Sequence, residues 1–421
     1  MSENIPSNVG RFPALASRDY NLFLIGQFIS VIGTWMQNTA QPYLAYRISG
    51  RPLDLGLIGF ASTLPTLLLA LPAGVFVERW DKRKTVIFFQ AVMSLQAFGL
   101  AALTFTGHVQ IWHIAILALI FGTASAVEIT ARQAMLIELA GREALPSAIA
   151  LQTTVFNVGR VLGPLAASWL LTSTGTEASV FMANGVSFLF VIAGLVIART
   201  RYKVPRDLEE RKSLSTEFRE GMAYIRRNSL VASIILMSAL VGFFGFPLIQ
   251  QIPALARDVL KTATDTTEAM VAGRTSLLYA AQGGGALVAA ILAAYLNASP
   301  NKGLMVTLGQ VAFIIPLIAL GYVRSLNISL ILLVFIGWGT VTQLVAMNTL
   351  IQISVPNGLR GRVFSVYLWA LQGVAPFGSL LIGWMAQNWG VPFAALTGGL
   401  ISLISIGGLH VISPSVRRAQ A

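Results

Sequence analysis

The sequence has no cysteine among its 421 residues and few charged residues, at 11%. The missing cysteine excludes disulfides, cysteine-bound metals and thiol chemistry. Soluble domains carry about 25% charged residues, whereas here hydrophobic residues reach 55% and the mean hydropathy is +0.72. This composition is typical of a helical protein that crosses a membrane many times, and we expect the lipid bilayer to surround it.

Acids are scarcer than bases, with 17 Asp and Glu against 29 Lys and Arg and a net charge of +12. Such a surplus could suit nucleic acid, but the basic residues are grouped in short segments between apolar runs. The membrane explains them first, and we expect no nucleic-acid partner. Between Ser229 and Ile412 the acids are limited to Asp258, Asp265 and Glu268. If protons are coupled, their carrier must therefore lie in the first half.

Sequence patterns of catalysis and metal binding are missing as well. The three histidines lack metal-ligand spacing, and neither a Walker loop nor a Ser/His/Asp constellation is present. Gly283-Gly284-Gly285 lies in an apolar run, which favours close helix packing over a phosphate cradle. We expect no enzyme activity, no metal and no cofactor, so that active transport would depend on an ion gradient.

Long apolar runs predict twelve transmembrane helices, because roughly twenty apolar residues cross a bilayer as a helix. The predicted fold class is an all-α membrane protein with two six-helix bundles. Segment 1–20 lacks the apolar core of a signal peptide, so we expect the first span to act as its own insertion signal. The predicted spans are 20–46, 53–77, 85–106, 111–138, 146–174, 178–198, 229–257, 272–297, 302–323, 328–352, 361–387 and 391–412.

One long polar stretch, 199–228, separates the first six spans from the last six. Its charges alternate in sign, and Phe218, Met222 and Ile225 recur at helical spacing. We interpret it as a cytoplasmic linker whose amphipathic helix lies on the inner membrane surface. The predicted domains are an N-terminal bundle at 1–198, this linker, and a C-terminal bundle at 229–421.

The distribution of Lys and Arg predicts the orientation. One set of loops, together with both termini, carries 21 of the 29 basic residues; the opposite set carries 6, and Arg132 and Arg160 lie within spans. The richer side is cytoplasmic by the positive-inside rule. Both termini are therefore predicted to be cytoplasmic.

The two halves also resemble each other. A shift of 215 residues aligns 132–170 with 347–385, and it places Gly163 on Gly378 and Trp169 on Trp384. This pattern suggests an internal repeat. In membrane transporters, such repeats enclose a site near the middle of the bilayer.

A compact basic segment, 74–84, joins the second and third predicted spans. It resembles the Gly-x-x-x-Asp-Arg-x-Gly-Arg-Arg or Lys motif of the major facilitator superfamily, with Glu78 and Asp81 replacing the family's Asp and second Gly. The resemblance implies alternating access, in which the halves rock around a central site, and it places this loop at the inner gate. The expected gate residues are Gly74, Glu78, Arg79, Asp81, Arg83, Arg360 and Arg362.

A second motif, Gly159, Gly163 and Pro164, lies in the fifth span. It resembles the Gly-x-x-x-Gly-Pro signature of the superfamily's exporters, which is associated with antiport. Ala166 and Ala167 stand where the family continues with a glycine pair. Close helix packing alone could also explain these small residues.

Charged residues inside the spans are few, and a charge within a bilayer is costly and usually functional. Glu128 and Arg132 lie four residues apart and can pair, and Arg160 lies at a depth compatible with contact. We expect Glu128 to carry the coupled proton, with Arg132 and Arg160 as its partners and Asp19 as the next candidate. A structural salt-bridge network near the inner gate is the alternative, and Asp19 could simply cap a helix. Arg132 followed by Gln133 resembles the family's helix 4 arginine, which implies a gating role.

Uncharged polar residues follow single helix faces and suit a bulky, partly polar organic ligand. The alternative for each is a hydrogen bond between helices. The expected substrate-binding residues are Gln27, Thr34, Gln37, Asn38, Asn157, Phe243, Tyr279, Gln282 and Gln343.

Four stretches together narrow the resemblance: 33–37, 131–134 with 145–148, 159–164 and 359–365. They are similar to the superfamily branch that contains the enterobactin exporter and macrolide efflux proteins. The resemblance implies a monomeric exporter of a small siderophore or drug-like molecule in the bacterial inner membrane, with protons moving the other way. The alternatives are a lysophospholipid flippase of the same fold and, less favoured, a membrane receptor or enzyme that does not transport.

Overall fold

The computed structural model describes residues 12–198, 214–261, 267–295, 301–413 and 416. A 3₁₀ turn at Pro13–Ala16 precedes the first long helix, and π turns occur at Val241–Gly245 and Leu255–Val259. The helices are α1 (Arg18–Ser49), α2 (Pro52–Arg79), α3 (Lys82–Phe105), α4 (Ile111–Ala140), α5 (Leu145–Thr174), α6 (Glu177–Ile197), α7 (Leu214–Arg227), α8 (Ser229–Leu240), α9 (Phe246–Ile249), α10 (Ile252–Ala254), α11 (Glu268–Tyr295), α12 (Lys302–Leu320), α13 (Leu326–Ser354), α14 (Asn357–Gly373), α15 (Ala375–Trp389) and α16 (Val391–Ile412).

These helices form twelve membrane-crossing segments. Within the described residues, ten segments are long and apolar enough to cross a membrane, with α8 and α9 counted together and α14 and α15 counted together. The other two are α1 and α5, which have 32 and 30 residues and carry more polar side chains. At 1.5 Å per residue, each is about 45 Å long or more, which exceeds the thickness of the hydrocarbon core.

The helices are arranged as two six-helix bundles. In the first half, α1 packs against α5 and α6, α2 against α4, and α3 against α4 and α6. In the second half, α13 packs against α11 and α12, and α16 against α12 and α15. The halves meet mainly where α5 contacts α11 and where α2 contacts α15. The predicted fold class is confirmed.

The aligned glycines of the suggested repeat have equivalent neighbours. A Cβ on Gly163 of α5 would clash with Trp35 of α1, and a Cβ on Gly378 of α15 would clash with Phe243, in the π turn after α8. In each half, therefore, the fifth span approaches the first span at a glycine. The contacts between the halves show the same internal repeat. In both cases the second span of one half packs against the fifth span of the other: α2 against α15, and α11 against α5.

Three segments differ locally from the predicted spans. The loop expected at 78–84 is only two residues long, because α2 continues to Arg79 and Asp81 caps α3 by accepting a hydrogen bond from the Lys84 N–H at 2.9 Å. The seventh span is interrupted by a π turn, whose Phe243 carbonyl would otherwise meet the ring of Pro247 four residues later. The eleventh span is interrupted at Val374, just before Pro376.

Helix α7 in the linker packs against the second half. Ile225 is buried, the Tyr224 hydroxyl donates to the Ser354 carbonyl at 3.0 Å, and Glu220 forms an ion pair with Arg362 of α14. The rest of the polar stretch, 199–213, lies outside the described residues. We call the side of the molecule that carries α7 and the start of α1 the linker side, and the other the opposite side.

Candidate functional site

A cavity of about 610 Å³ lies between the two halves. Its size falls within the usual range for small-molecule sites, about 300–1,000 Å³. The first half contributes residues from α1, α2, α4 and α5, and the second half from α9, α11, α13, α14 and α15. Its polar or aromatic lining residues include Trp35, Asn38, Gln41, Thr63, Phe121, Ser125, Phe156, Phe246, Gln250, Tyr279, Gln282, Thr340, Gln372 and Ser379.

The structure places the expected substrate-binding residues in two groups. Asn38, Tyr279 and Gln282 line the cavity, as do Arg160 and Pro164. The others lie elsewhere in the bundles, away from the cavity lining. They are Gln27, Thr34, Gln37, Asn157, Phe243 and Gln343.

Gln37 belongs to a buried amide network inside the first half. Its side-chain nitrogen donates to Gln41 at 3.0 Å and to Gln96 at 3.2 Å, while its oxygen accepts from Asn184 of α6 at 2.8 Å. Gln37 is 2% exposed. These hydrogen bonds join α1, α3 and α6. Gln37 therefore fits the alternative to substrate binding, in which a polar residue within a span forms hydrogen bonds between helices.

Glu128 is the acid of a second buried network. It is 4% exposed and forms an ion pair with Arg132 at 3.1 Å, and it accepts a hydrogen bond from Gln90 of α3 at 2.9 Å. Arg132 also donates to Gln152 of α5 at 2.8 Å. Ser125, which lines the cavity, lies one turn before Glu128 on the same helix face. The network is therefore next to the cavity, towards the linker side.

Arg160 has different partners from those expected. Its guanidinium carbon lies 5.3 Å from the centre of the Trp35 ring, and Nη2 donates to Gln282 of α11 at 3.4 Å. The Glu128 carboxylate is bonded instead to Arg132 and Gln90. Within the described residues, Arg160 has no acidic partner.

The cavity is closed on the opposite side by contacts between the halves. The Tyr43 hydroxyl donates to the backbone carbonyl of Glu268 at 2.9 Å and to its carboxylate at 3.0 Å. The Tyr46 hydroxyl donates to Asp258. Glu268 also forms an ion pair with Arg257 of its own half. Tyr43 and Tyr46 are on α1, whereas all their partners belong to the second half.

Sequence reasoning missed this closure. The sequence contains a signal in each half. Tyr43 and Tyr46 are three residues apart on one helix face of the first half, and Asp258 and Glu268 are two of the few acids of the second half, in the loop predicted between its first two spans. Asp265, the third of those acids, lies outside the described residues. The pairing itself joins residues 225 and 212 positions apart, and sequence spacing does not indicate such contacts.

The expected gate residues lie on the linker side. Asp81 caps α3, Arg83 donates to the Val196 carbonyl at 2.8 Å, and Arg362 pairs with Glu220 of the linker helix. Arg360 is exposed. The side chains of Glu78 and Arg79, and the surroundings of Gly74, lie outside the described part of the structure.

The remaining expected residues pack within the first half. Asp19 is buried in the first turn of α1, where Ser17 is the capping residue and accepts from the Tyr20 N–H at 3.2 Å. Gly159 and Gly163 both face α1, where a Cβ would clash with Val31 and Trp35. The Gly-x-x-x-Gly-Pro segment thus brings α5 against α1 at the cavity wall.

Two six-helix bundles that enclose one central cavity define the molecule as a membrane transporter of the major facilitator class. The same fold occurs in the solved nucleoside transporter NupG, with a TM-score of 0.70, 13% identity and coverage of 94% of this chain and 99% of that one. It also occurs in a D-xylose–proton symporter, with a TM-score of 0.71, 13% identity and coverage of 94% and 97%.

The chain belongs to the transmembrane secretion effector family of the major facilitator superfamily, whose model matches residues 9–421. Its relatives include the multidrug efflux pump Tap of Mycolicibacterium fortuitum, 23% identical over 94% of this chain and 96% of the relative. The enterobactin exporter EntS of Citrobacter koseri is 24% identical over 93% and 92%. The resemblance inferred from the sequence motifs is confirmed, and the family consists of transporters, not enzymes.

Proposed function

We propose that this protein exports a small organic molecule across the bacterial inner membrane by alternating access. The observation that carries the proposal is the central cavity, which is lined by both halves and closed on the opposite side by the tyrosine–carboxylate contacts of α1. The export direction is supported by the relatives named as an efflux pump and an enterobactin exporter. The linker side, which carries most basic residues, is the cytoplasmic side, with both termini there.

The coupling ion in this proposal is the proton, and Glu128 is its carrier. Its ion pair with Arg132 links the wall of the cavity to the linker side, and Gln90 and Gln152 extend the network to α3 and α5. Protonation would neutralise the carboxylate and release Arg132, which would change how α4 is held to its neighbours. The proton would thereby favour one of the two arrangements of the halves.

Transport by inverted membrane vesicles with an imposed pH gradient tests this function. The measurement is proton movement and substrate uptake on addition of siderophores, macrolides and lysophospholipids, one at a time. We expect a siderophore or drug-like compound to be taken up and to trigger proton flux. Movement of lysophospholipid alone would identify a flippase, and uptake without proton flux would overturn the coupling but not the export.

A further inference from the structure

The central cavity has a single formal charge. Among the described residues that line it, Arg160 is the charged one, and the others are apolar or uncharged polar residues. A guanidinium at this depth in a membrane protein is costly and is normally balanced by an acid or by a ligand. Glu128, the acid that the sequence predicts as a partner of Arg160, already has its own cation and hydrogen-bond donor in Arg132 and Gln90.

Three donors around this charge have no hydrogen-bond acceptor among the described residues. They are Nε of Arg160, the hydroxyl of Tyr279 and Nε2 of Gln282. Gln282 is 3% exposed and Tyr279 is 9% exposed, and both line the cavity. Because Gln282 uses its oxygen to accept from Arg160, its amide N–H groups remain to donate. Buried donors of this kind normally have partners.

Aromatic rings adjoin these donors. Trp35 lies against the guanidinium of Arg160, and Phe156 meets Trp35 edge to face, with ring centres 5.5 Å apart. Both rings line the cavity, as does Phe246 from the second half. An apolar or aromatic body could occupy this part of the cavity while an acidic group reaches the donors.

The positive charge of Arg160 occurs in the first half of the repeat and has no counterpart at the equivalent position of the second half. The 215-residue shift places Arg160 on Ala375, and both residues line the cavity. The equivalent helix of the second half packs with an alanine at this position. Helix packing therefore does not require a charged residue at position 160. A function specific to the first half accounts for the arginine.

We propose that Arg160, Tyr279 and Gln282 bind the anionic group of the transported substrate, so that the protein selects apolar or aromatic organic acids. This substrate class rests on the proposed export function. The site joins α5 of the first half to α11 of the second half, so a bound anion would contact both halves at once.

Binding of three probes with nearly the same shape tests this selectivity. The probes are 1-naphthoate, 1-naphthamide and 1-naphthylmethylammonium, which are anionic, neutral and cationic at neutral pH. Calorimetric titration of the full-length protein in nanodiscs, with empty nanodiscs as the blank, gives each affinity. We expect naphthoate to bind at least about tenfold more tightly than naphthamide, because hydrogen bonds to charged groups are the stronger kind.

Substitutions assign the preference to these residues. Arg160→Gln should weaken naphthoate binding about tenfold and leave naphthamide binding within about twofold, which also shows that the variant is folded. Tyr279→Phe should weaken naphthoate binding by a smaller factor. Arg324→Gln removes one positive charge from an exposed loop and should change neither affinity.

Equal affinity of the unmodified protein for naphthoate and naphthamide would overturn the proposal. A preference for naphthoate that survives Arg160→Gln would do so too, as would the failure of all three probes to bind at millimolar concentration. Failure of the export function gives a different result: naphthoate preference would remain, but no acid would accumulate in the vesicles.

Discussion

Two arginines within the spans of the first half differ in what balances their charge. Arg132 is held by Glu128 and Gln152, whereas Arg160 lies against Trp35 and Gln282 at the cavity. An arginine with its acid belongs to the protein's internal network, and an arginine without one is available to a ligand. In the proposed mechanism, proton coupling and substrate binding therefore belong to separate residues, whereas the sequence predicts that both arginines act on Glu128.

Glu128→Gln tests the proposed role of Glu128 in proton coupling. The amide keeps the size of the side chain and an acceptor oxygen for Gln90, but it cannot change charge. We expect pH-driven efflux to fall at least about tenfold, because a coupled step worth about 1.4 kcal/mol is lost. Exchange of labelled for unlabelled substrate at equal pH on both sides should persist, since it needs no net proton movement.

The matched control for this substitution is Glu143→Gln, which changes an exposed acid between α4 and α5. It should leave pH-driven efflux as it is in the unmodified protein. Full pH-driven efflux by Glu128→Gln would remove Glu128 from the coupling mechanism.

Gln37→Leu tests whether Gln37 stabilises the fold or contacts the substrate. The change leaves Asn184 and Gln96 without their partner in the interior of the first half. We expect the free energy of unfolding to fall by about 1–3 kcal/mol, seen as a lower thermal midpoint in detergent. Transport per folded molecule should be unchanged. Gln352→Leu, on the exposed surface of α13, is the control, and lost transport with an unchanged midpoint would put Gln37 at the substrate.

At the scale of helices, close approach is what glycine provides. The three consecutive glycines of α11, Gly283-Gly284-Gly285, each face a different environment. A Cβ on Gly283 would clash with the Arg160 carbonyl of the first half, and one on Gly285 would clash with Val334 of α13 in the same half. A Cβ on Gly284 would meet nothing within 4 Å. The packing interpretation of this run thus applies to two of its residues and through different interfaces.

We expect alanine to have a different effect at each of these three positions. Gly283→Ala is expected to push α5 from α11 and to slow efflux roughly tenfold, since overpacking costs about 1–3 kcal/mol. Gly285→Ala should lower the thermal midpoint through the contact with α13. Gly284→Ala is the matched control and should do neither. Equal effects at Gly283 and Gly284 would show that helix flexibility, not contact between halves, governs transport.

The helices themselves were largely predictable from the sequence, because apolar length is a strong signal in a membrane protein. The interruptions near Pro247 and Pro376, inside the seventh and eleventh spans, were less predictable, since a proline can interrupt a helix without ending the apolar run. Which polar face meets the cavity was not predictable. Gln37 and Asn38 are adjacent in sequence, yet one is in the amide network and the other lines the cavity.

At the scale of the molecule, the structure has one side closed, and the closure depends on contacts that the sequence places far apart. Tyr43 and Tyr46 of the first half hold carboxylates of the second half. Alternating access requires that this closure be reversible, so its contacts should contribute a few kcal/mol in total rather than a permanent bond. The absence of cysteine means that spin labels can be attached at introduced cysteines without background labelling.

Replacing both tyrosines by phenylalanine should open the opposite side. Each lost hydrogen bond to a charged group is worth about 1.5–3 kcal/mol, so the pair would shift the balance between the two arrangements by about a hundredfold or more. Spin labels at Thr174 and Arg324 report the opposite side, and labels at Glu143 and Gln352 report the linker side; all four positions are exposed.

We expect the Thr174–Arg324 distance to lengthen and the Glu143–Gln352 distance to shorten in the Tyr43→Phe/Tyr46→Phe variant, because two rigid halves that part on one side must approach on the other. Tyr322→Phe alters an exposed tyrosine on the opposite side and should leave both distances unchanged. If both distances lengthened together, the halves would be separating instead of rocking, and the tyrosine contacts would be general stabilisers of the fold. If neither changed, the closure would depend on the approach of α2 to α15, where Gly56 and Gly383 meet.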